Sequence, residues 1–465
     1  MTKLLQIAAW ASLLGAPAGA ANPLLVLTSD FQTGSVALLE PGARQARTDL
    51  LVIHSDAVVR HHQGRAYVIN RLGQDNILVL DPAAPQPPLL QFSVGNGSNP
   101  QDLEFASDQK AYVSRHNSAS VLIVDPRDGR ELGEIDLSAF ADQDGLPELG
   151  EMALVGDRLY VACQRLDRDA GWVASQSYLA AVDTGSDQVV DWDPAQEGSQ
   201  ALVLQSVNPG NLVVLGSRLY VGQTGQYGVA DGGVEVVDLK AGRSLGLAVA
   251  ETELQGDLTA LALVSQEKGY AVVSAADFSN SVRPFDLGTG QVGPPLEGHS
   301  GGYTPDLEVD GDRLIVADRG TFSDPARAGL LVYEAATGRL LAGPIGVGLP
   351  PLSLAVLADE QLTAVAEEGA ARPQRTRLGA AYPNPFNAGT MIPLSLAGEG
   401  VFSLVVYDAL GRVVRTLEVR SGPAGSRAVP WDGRDDRGQA VGSGAYVVEL
   451  RQGAWRQTRK LLLLK

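Results

Sequence analysis

From Asn22 to Ala366 the chain alternates short apolar runs with polar, turn-forming stretches, and no segment carries the 3.6-residue apolar spacing of an amphipathic helix. One phrase recurs: a Tyr-Val or Leu-Val strand, a polar loop, then an apolar strand ending near Asp. Tyr67-Val68-Ile69 is followed by Ile77 to Asp81, Tyr112-Val113-Ser114 by Val121 to Asp125, and Tyr160-Val161-Ala162 by Leu179 to Asp183. Tyr220-Val221-Gly222 is followed by Val234 to Asp238. Weaker copies are Leu25 to Leu27 with Val36 to Leu38, Ala271 to Val273 with Val282 to Asp286, and Leu314 to Ala317 with Leu330 to Tyr333. Turns such as Asp128-Gly129, Gly156-Asp157 and Thr337-Gly338 separate the runs, as many short strands require.

A further apolar strand precedes each Tyr-Val strand except the first. The copies are Ala57 to Val59, Leu103 to Phe105, Met152 to Leu154, Leu212 to Val214, Leu258 to Ala260, Leu307 to Val309 and Leu354 to Val356. The last copy has no complete repeat after it. Ring closure resolves both anomalies, with residues 352–357 completing the first repeat and removing the open sheet edges. The spacing of about 42 to 60 residues is that of a four-stranded propeller blade and not of a helical solenoid. We therefore expect an all-β fold, a seven-bladed β-propeller over residues 21–366. Leu362 to Ala366 reads as one Tyr-Val-type strand too many.

Residues 367–377 are polar, contain Pro373 and read as a linker. The character then changes. Tyr382-Pro383-Asn384-Pro385-Phe386-Asn387 opens a segment of about seven short strands, with turns at Asp408 to Arg412 and Trp431 to Gly438, which suggests an Ig-like sandwich over 378–465. At the other end, Lys3, the apolar run Leu4 to Leu14 and the small residues Ala18-Gly19-Ala20 have the layout of a secretory signal peptide, residues 1–20, cleaved before Ala21. No other run reaches the ~18 apolar residues of a membrane-spanning helix. The expected product is secreted or held at the cell surface, by way of the periplasm.

The repeats resemble the YVTN-type and lactonase-like seven-bladed propellers of exported bacterial proteins, a likeness that speaks to fold more than to activity. The segment 378–465 resembles the Ig-like domain related to flagellar hook-capping proteins and the type A sorting domains of type IX secretion cargo. That resemblance implies contact with a secretion machinery through residues 378–465. Ala388 departs from it, where related sequences often carry Pro.

The 465 residues carry 36 basic and 54 acidic side chains, a net charge of −18. The charge is unevenly divided: residues 378–465 hold 11 basic and 7 acidic residues, so the acidity belongs to the propeller. No nucleic-acid partner is expected of such a chain. The one cysteine, Cys163, excludes a disulfide framework and reads as core.

The candidate chemistry is concentrated at the start of each inner strand: Asp56, Asp102, Glu151, Asn211, Asp257, Asp306 and Ser353 would ring one mouth of the central channel. Five of these are carboxylates. They either bind a hard divalent cation such as Ca²⁺ or tie blades together through backbone N–H groups. Loops on the same face gather Asn96, Asn99, His116, Asn117, Arg165, Trp172, Asn208, Tyr227, Phe278, His299, Tyr303, Arg319 and Phe322. Three of those loops are long, 163–177, 223–232 and 318–328, and long loops with aromatics favour binding. His61 and His62 alternate faces and do not suggest a shared metal. Asp432, Asp435 and Asp436 read as a hairpin turn rather than a calcium loop. No Gly-x-Ser-x-Gly elbow, phosphate loop or His-Glu-x-x-His motif is present.

Together these features point to an exported recognition protein for an extracellular protein, glycan or small molecule. Two alternatives remain open from sequence: a lactonase-like or other metal-dependent hydrolase using the channel-mouth carboxylates, and a structural envelope component.

Overall fold

The computed structural model describes residues 21–192, 200–358, 376–378, 381, 390–396, 400–408, 410–422, 425–452 and 455–463. The expected signal peptide (residues 1–20), the expected linker up to residue 375, Tyr382 to Asn387 and the surplus strand expected at Leu362 to Ala366 lie outside the described residues. Two compact units are present, residues 1–365 and 366–465.

Among the described residues, the first unit has seven antiparallel sheets, with a two-stranded ribbon in one of its loops. Six sheets take their strands in sequence order, one of them with the ribbon inserted between its second and third strands. Their inner strands are Ala57–His62, Pro100–Ser107, Leu149–Val155, Pro209–Leu215, Asp257–Leu263 and Leu307–Asp310, which begin blades II to VII. Blade I pairs Leu24–Ser29 with Pro351–Val356, in the register Leu24 to Val356 and Leu27 to Ser353. Each inner strand neighbours the next, and Pro351–Val356 lies between Leu307–Asp310 and Ala57–His62, so the ring is closed. The all-β fold is thus a seven-bladed propeller followed by an Ig-like sandwich.

The recurring residues have identifiable duties. The Asp ending the third strand of a blade turns back on the chain. Asp125 Oδ1 accepts from the Arg127 N–H, Asp183 Oδ1 from Gly185 and Ser186, and Asp286 Oδ1 from Gly288 and Thr289. This is the local side-chain bond that suits Asp to turns. The Tyr of the second strand faces the next blade: the Tyr112 hydroxyl donates to Asp187 Oδ1 (2.7 Å) and the Tyr270 hydroxyl to the Ala335 carbonyl (2.8 Å). Apolar residues fill the space between blades, as where Tyr67, Ile69 and Ile77 of blade II meet Leu103, Val113 and Leu122 of blade III. Blade VI departs from the pattern. It has three strands, and its outer position is a single bridge between Phe285 and Val292. Pro294 and Pro295 follow and cannot donate to a ladder.

In the second unit, Arg377–Leu378, Thr390–Leu396 and Gly425–Trp431 form one sheet. Val413–Gly422, Gly400–Tyr407, Gly444–Gln452 and Trp455–Leu463 form the other. Trp431 is buried among Phe402, Leu404, Val406 and Leu450, edge-on to Tyr446 at 5.2 Å. Asp432 and Asp435 accept backbone N–H groups of Arg434, Arg437 and Gln439, the behaviour of turn residues.

Candidate functional site

The inner-strand ring is first of all a set of clasps. Asp102 Oδ2 accepts from the Met152 N–H at 2.8 Å, Glu151 Oε2 from Leu212 at 2.9 Å and Asp306 Oδ2 from Leu354 at 2.7 Å. Ser353 Oγ accepts from the Val59 N–H at 3.3 Å. Each bond runs from one blade to the next. In blade VI the clasp changes hands: Glu251 Oε1 takes the Leu258 N–H at 2.6 Å, and Asp257 accepts instead from Gly228 in a blade V loop. Asp56 is paired with Arg71. The carboxylates are thus engaged with backbone or guanidinium donors, as the structural reading of the ring expects.

The channel inside the ring is nonetheless polar. Two adjoining cavities of about 340 and 260 Å³ share Arg60, Glu151, Asn211 and Asp306. Glu104 and Glu308 line the larger, and Arg71 and Tyr303 the smaller. Arg60 Nε donates to the fully buried Asp102 at 2.7 Å, and its Nη2 lies 3.7 Å from Glu151. Burial opposes the Arg60 charge, but Asp102 and Glu151 outweigh it, so Arg60 remains a cation. Burial pushes Glu151 up to about 7, Asp306 to about 6 and Glu308 to about 8, the last helped by the neighbouring Asp306 charge.

The loop face around this mouth is different in kind. The propeller's exposed aromatics are Phe31, Trp172, Tyr227, Phe278, Tyr303 and Phe322 among the described residues. All six sit in loops that leave a second strand or enter an inner strand, which share one face of the ring. Exposed Leu72 belongs to the same set. The loops of the opposite face carry no exposed aromatic among the described residues. Four of these side chains are held on left-handed backbone: Phe31 (φ 68°), Leu72 (φ 44°), Trp172 (φ 68°) and Phe278 (φ 62°). Bulky residues rarely adopt that conformation, which costs of order 1–3 kcal/mol each. Arg319 stacks on Phe31 at 4.2 Å, and His116 lies against Trp172 at 6.0 Å.

Several residues expected on this face turn out to serve the fold. His299 is tied to Thr304 Oγ1 and the Gly301 N–H within its own loop. Arg319 is buried and donates to the carbonyls of Ser29, Pro350 and Pro351, bridging blades VII and I. Asn99 Oδ1 receives the Leu72 N–H. Cys163 is buried in the core, its thiol pushed up to about 12 by burial. Phe31 and Leu72 were missed by sequence reasoning. Their position, just after a second strand, was the available signal.

The FlgD Ig-like domain family matches residues 392–454. Comparison with curated proteins finds no match. Among solved structures, the chain is similar to a putative 6-phosphogluconolactonase from Bacteroides fragilis, at 13% identity and a TM-score of 0.51, over 73% of this chain and 99% of that one. It is also similar to PorZ, described as an essential surface component of the type-IX secretion system of Porphyromonas gingivalis, at 14% identity and a TM-score of 0.42. That match covers 94% of this chain and 64% of PorZ. Citrobacter koseri AztD matches at 11% identity and a TM-score of 0.44, over 72% of this chain and 97% of that one. Among the described residues no helix is long and apolar enough to cross a membrane. At 13% identity the Bacteroides fragilis structure speaks to fold alone, and the chain is a propeller-type protein whose residues 392–454 match the FlgD Ig-like domain.

Proposed function

We propose that this is an exported recognition protein whose aromatic loop face binds an extracellular protein or glycan, and whose residues 378–465 act in type IX secretion or surface attachment. The observation that carries the reading is the one-sided distribution of exposed aromatics, several of them on strained backbone. Spending conformational free energy to keep rings in water is explained by a partner that covers them. The polar channel mouth, with Arg71, Asn211 and Tyr303, would supply hydrogen bonds at the centre of such a surface.

The hydrolase alternative asks the ring carboxylates to hold a metal with an open position. Their engagement with backbone N–H groups favours the binding reading instead. The test is to present the full chain to envelope fractions and a glycan array beside the triple variant Trp172→Ala, Tyr227→Ala, Phe278→Ala. Binding by the parent and at least a tenfold loss in a normally folded variant are expected. Equal binding by both would overturn the assignment of this face.

A further inference from the structure

We propose that Asp142, Asp144 and Glu148, in the loop entering blade IV, form a calcium site. They lie outside the channel-mouth ring, and the inference does not depend on the aromatic-face reading.

One carboxylate oxygen from each residue lies within 4.8 Å of the others. Calcium binds oxygen ligands at about 2.3–2.6 Å, so ligands on one ion are separated by at most ~5 Å; magnesium, at about 2.0–2.1 Å, requires a tighter set. The donor set is all oxygen, which suits a hard cation. Glu148 is fully buried, and its Oε1 accepts no hydrogen bond, while Oε2 takes the Leu166 N–H at 3.1 Å. Asp142 Oδ2 is likewise buried without a partner, while Oδ1 takes the Asp144 N–H. Asp144 Oδ1 takes the Leu146 N–H and Oδ2 the Arg168 N–H. Two buried carboxylate oxygens of the cluster are therefore left without a hydrogen bond, which is costly unless a cation meets them.

Arg168 fills that role only in part. Its Nε lies 3.4 Å from Glu148 Oε1 and 3.7 Å from Asp144 Oδ2, but donates a hydrogen bond to neither. Its Nη2 is committed to the His116 carbonyl and Asn117 Oδ1, and the guanidinium lies over Trp172 at 5.5 Å. One guanidinium against three carboxylates leaves a net of about two negative charges, the complement of a divalent cation.

The loop containing the acids is zipped to the loop containing Trp172. The Gln164 N–H donates to the Glu148 carbonyl, the Arg165 N–H to Pro147, and Arg165 Nη2 to Ala141. An ion here would fix the base of that long loop, and so the position of the Trp172 ring.

The test is calorimetric titration of the full chain with Ca²⁺, and with Tb³⁺ read through emission sensitised by Trp172. One saturable site is expected, with Kd between about 10⁻⁵ and 10⁻³ M, in the range of sensor and extracellular sites. Asp144→Asn and Glu148→Gln should each weaken it at least tenfold. Asp142→Asn, at a partly exposed residue, should do the same and guards against misfolding of the buried variants. Trp172→Phe should abolish the sensitised emission while calorimetric Ca²⁺ affinity stays within twofold. Glu151→Gln and Asp306→Asn in the channel should leave it unchanged. No saturable binding up to 5 mM, or binding lost with the channel variants but kept in the three loop variants, would overturn the proposal.

Discussion

Replacing Asp102 by alanine tests whether the inner-strand carboxylates hold the blades together. Asp102 is fully buried and receives two donors from two other blades, Arg60 Nε of blade II and the Met152 N–H of blade IV. Truncation leaves the Met152 N–H unpaired, at a cost of about 1–3 kcal/mol. Breaking a wholly buried ion pair costs about 3–5 kcal/mol, but Arg60 is 31% exposed and keeps Glu151 nearby, so about 1–2 kcal/mol is appropriate. The expected loss is about 3 kcal/mol. A unit of roughly 340 residues has an unfolding entropy near 0.7 kcal/mol/K at the usual ~2.1 cal/mol/K per residue, so the melting temperature should fall by about 4 °C. Asp102→Asn keeps one acceptor oxygen and should lose about half as much. Calorimetry and urea titration of both variants measure this, with residual coupling between units checked by comparing probes. A melting temperature for Asp102→Ala within 1 °C of the parent would refute the clasp.

Three further outcomes follow from the same geometry. Because burial raises Glu151, Asp306 and Glu308 to about 7, 6 and 8, these three groups bind more protons in the folded chain than in the unfolded one above about pH 4.5. Their contribution to stability should therefore decline as pH rises from 5 to 8, and Glu308→Gln should flatten that decline in pH-dependent urea titrations. Trp431→Ala empties the centre of the Ig-like core and should cost its unit about 3–5 kcal/mol, seen as a separate low-temperature transition. Phe278→Ala and Phe322→Ala remove rings that are 82% and 105% exposed, and should shift stability by no more than about 0.5 kcal/mol.

The blades were legible because their spacing repeats and because Tyr and Asp recur at positions where each has one duty. The ring closure was legible for a topological reason: a repeat without an inner strand and an inner strand without a repeat are complementary defects. The reduced blade VI was not read, although Pro294 and Pro295 announced it. At the site, the sequence located the ring residues but could not say that Asp102, Glu151 and Asp306 reach across to neighbouring backbone, since donor direction is fixed only by packing. The acids at 142, 144 and 148 escaped notice because what distinguishes them is two unsatisfied oxygens and a fully buried glutamate. Burial of a loop carboxylate has no periodic signature. Phe31 and Leu72 sit in short turns, where apolar residues do not form a pattern.

Closing the ring with Pro351–Val356 sets a clock on the molecule. The inner partner of Leu24–Ser29 lies roughly 330 positions later in the chain, and closing a span of that length costs about 5 kcal/mol in entropy beyond a constant. Blades II to VII can each form from local hairpins, so they shorten that span before the final strand docks. Until then one side of blade I is an unpaired apolar edge, the kind of surface that pairs with other chains. Docking of six residues is therefore expected to be the slow step of folding, and variants that weaken it should fail by clumping of newly made chains before they fail by melting.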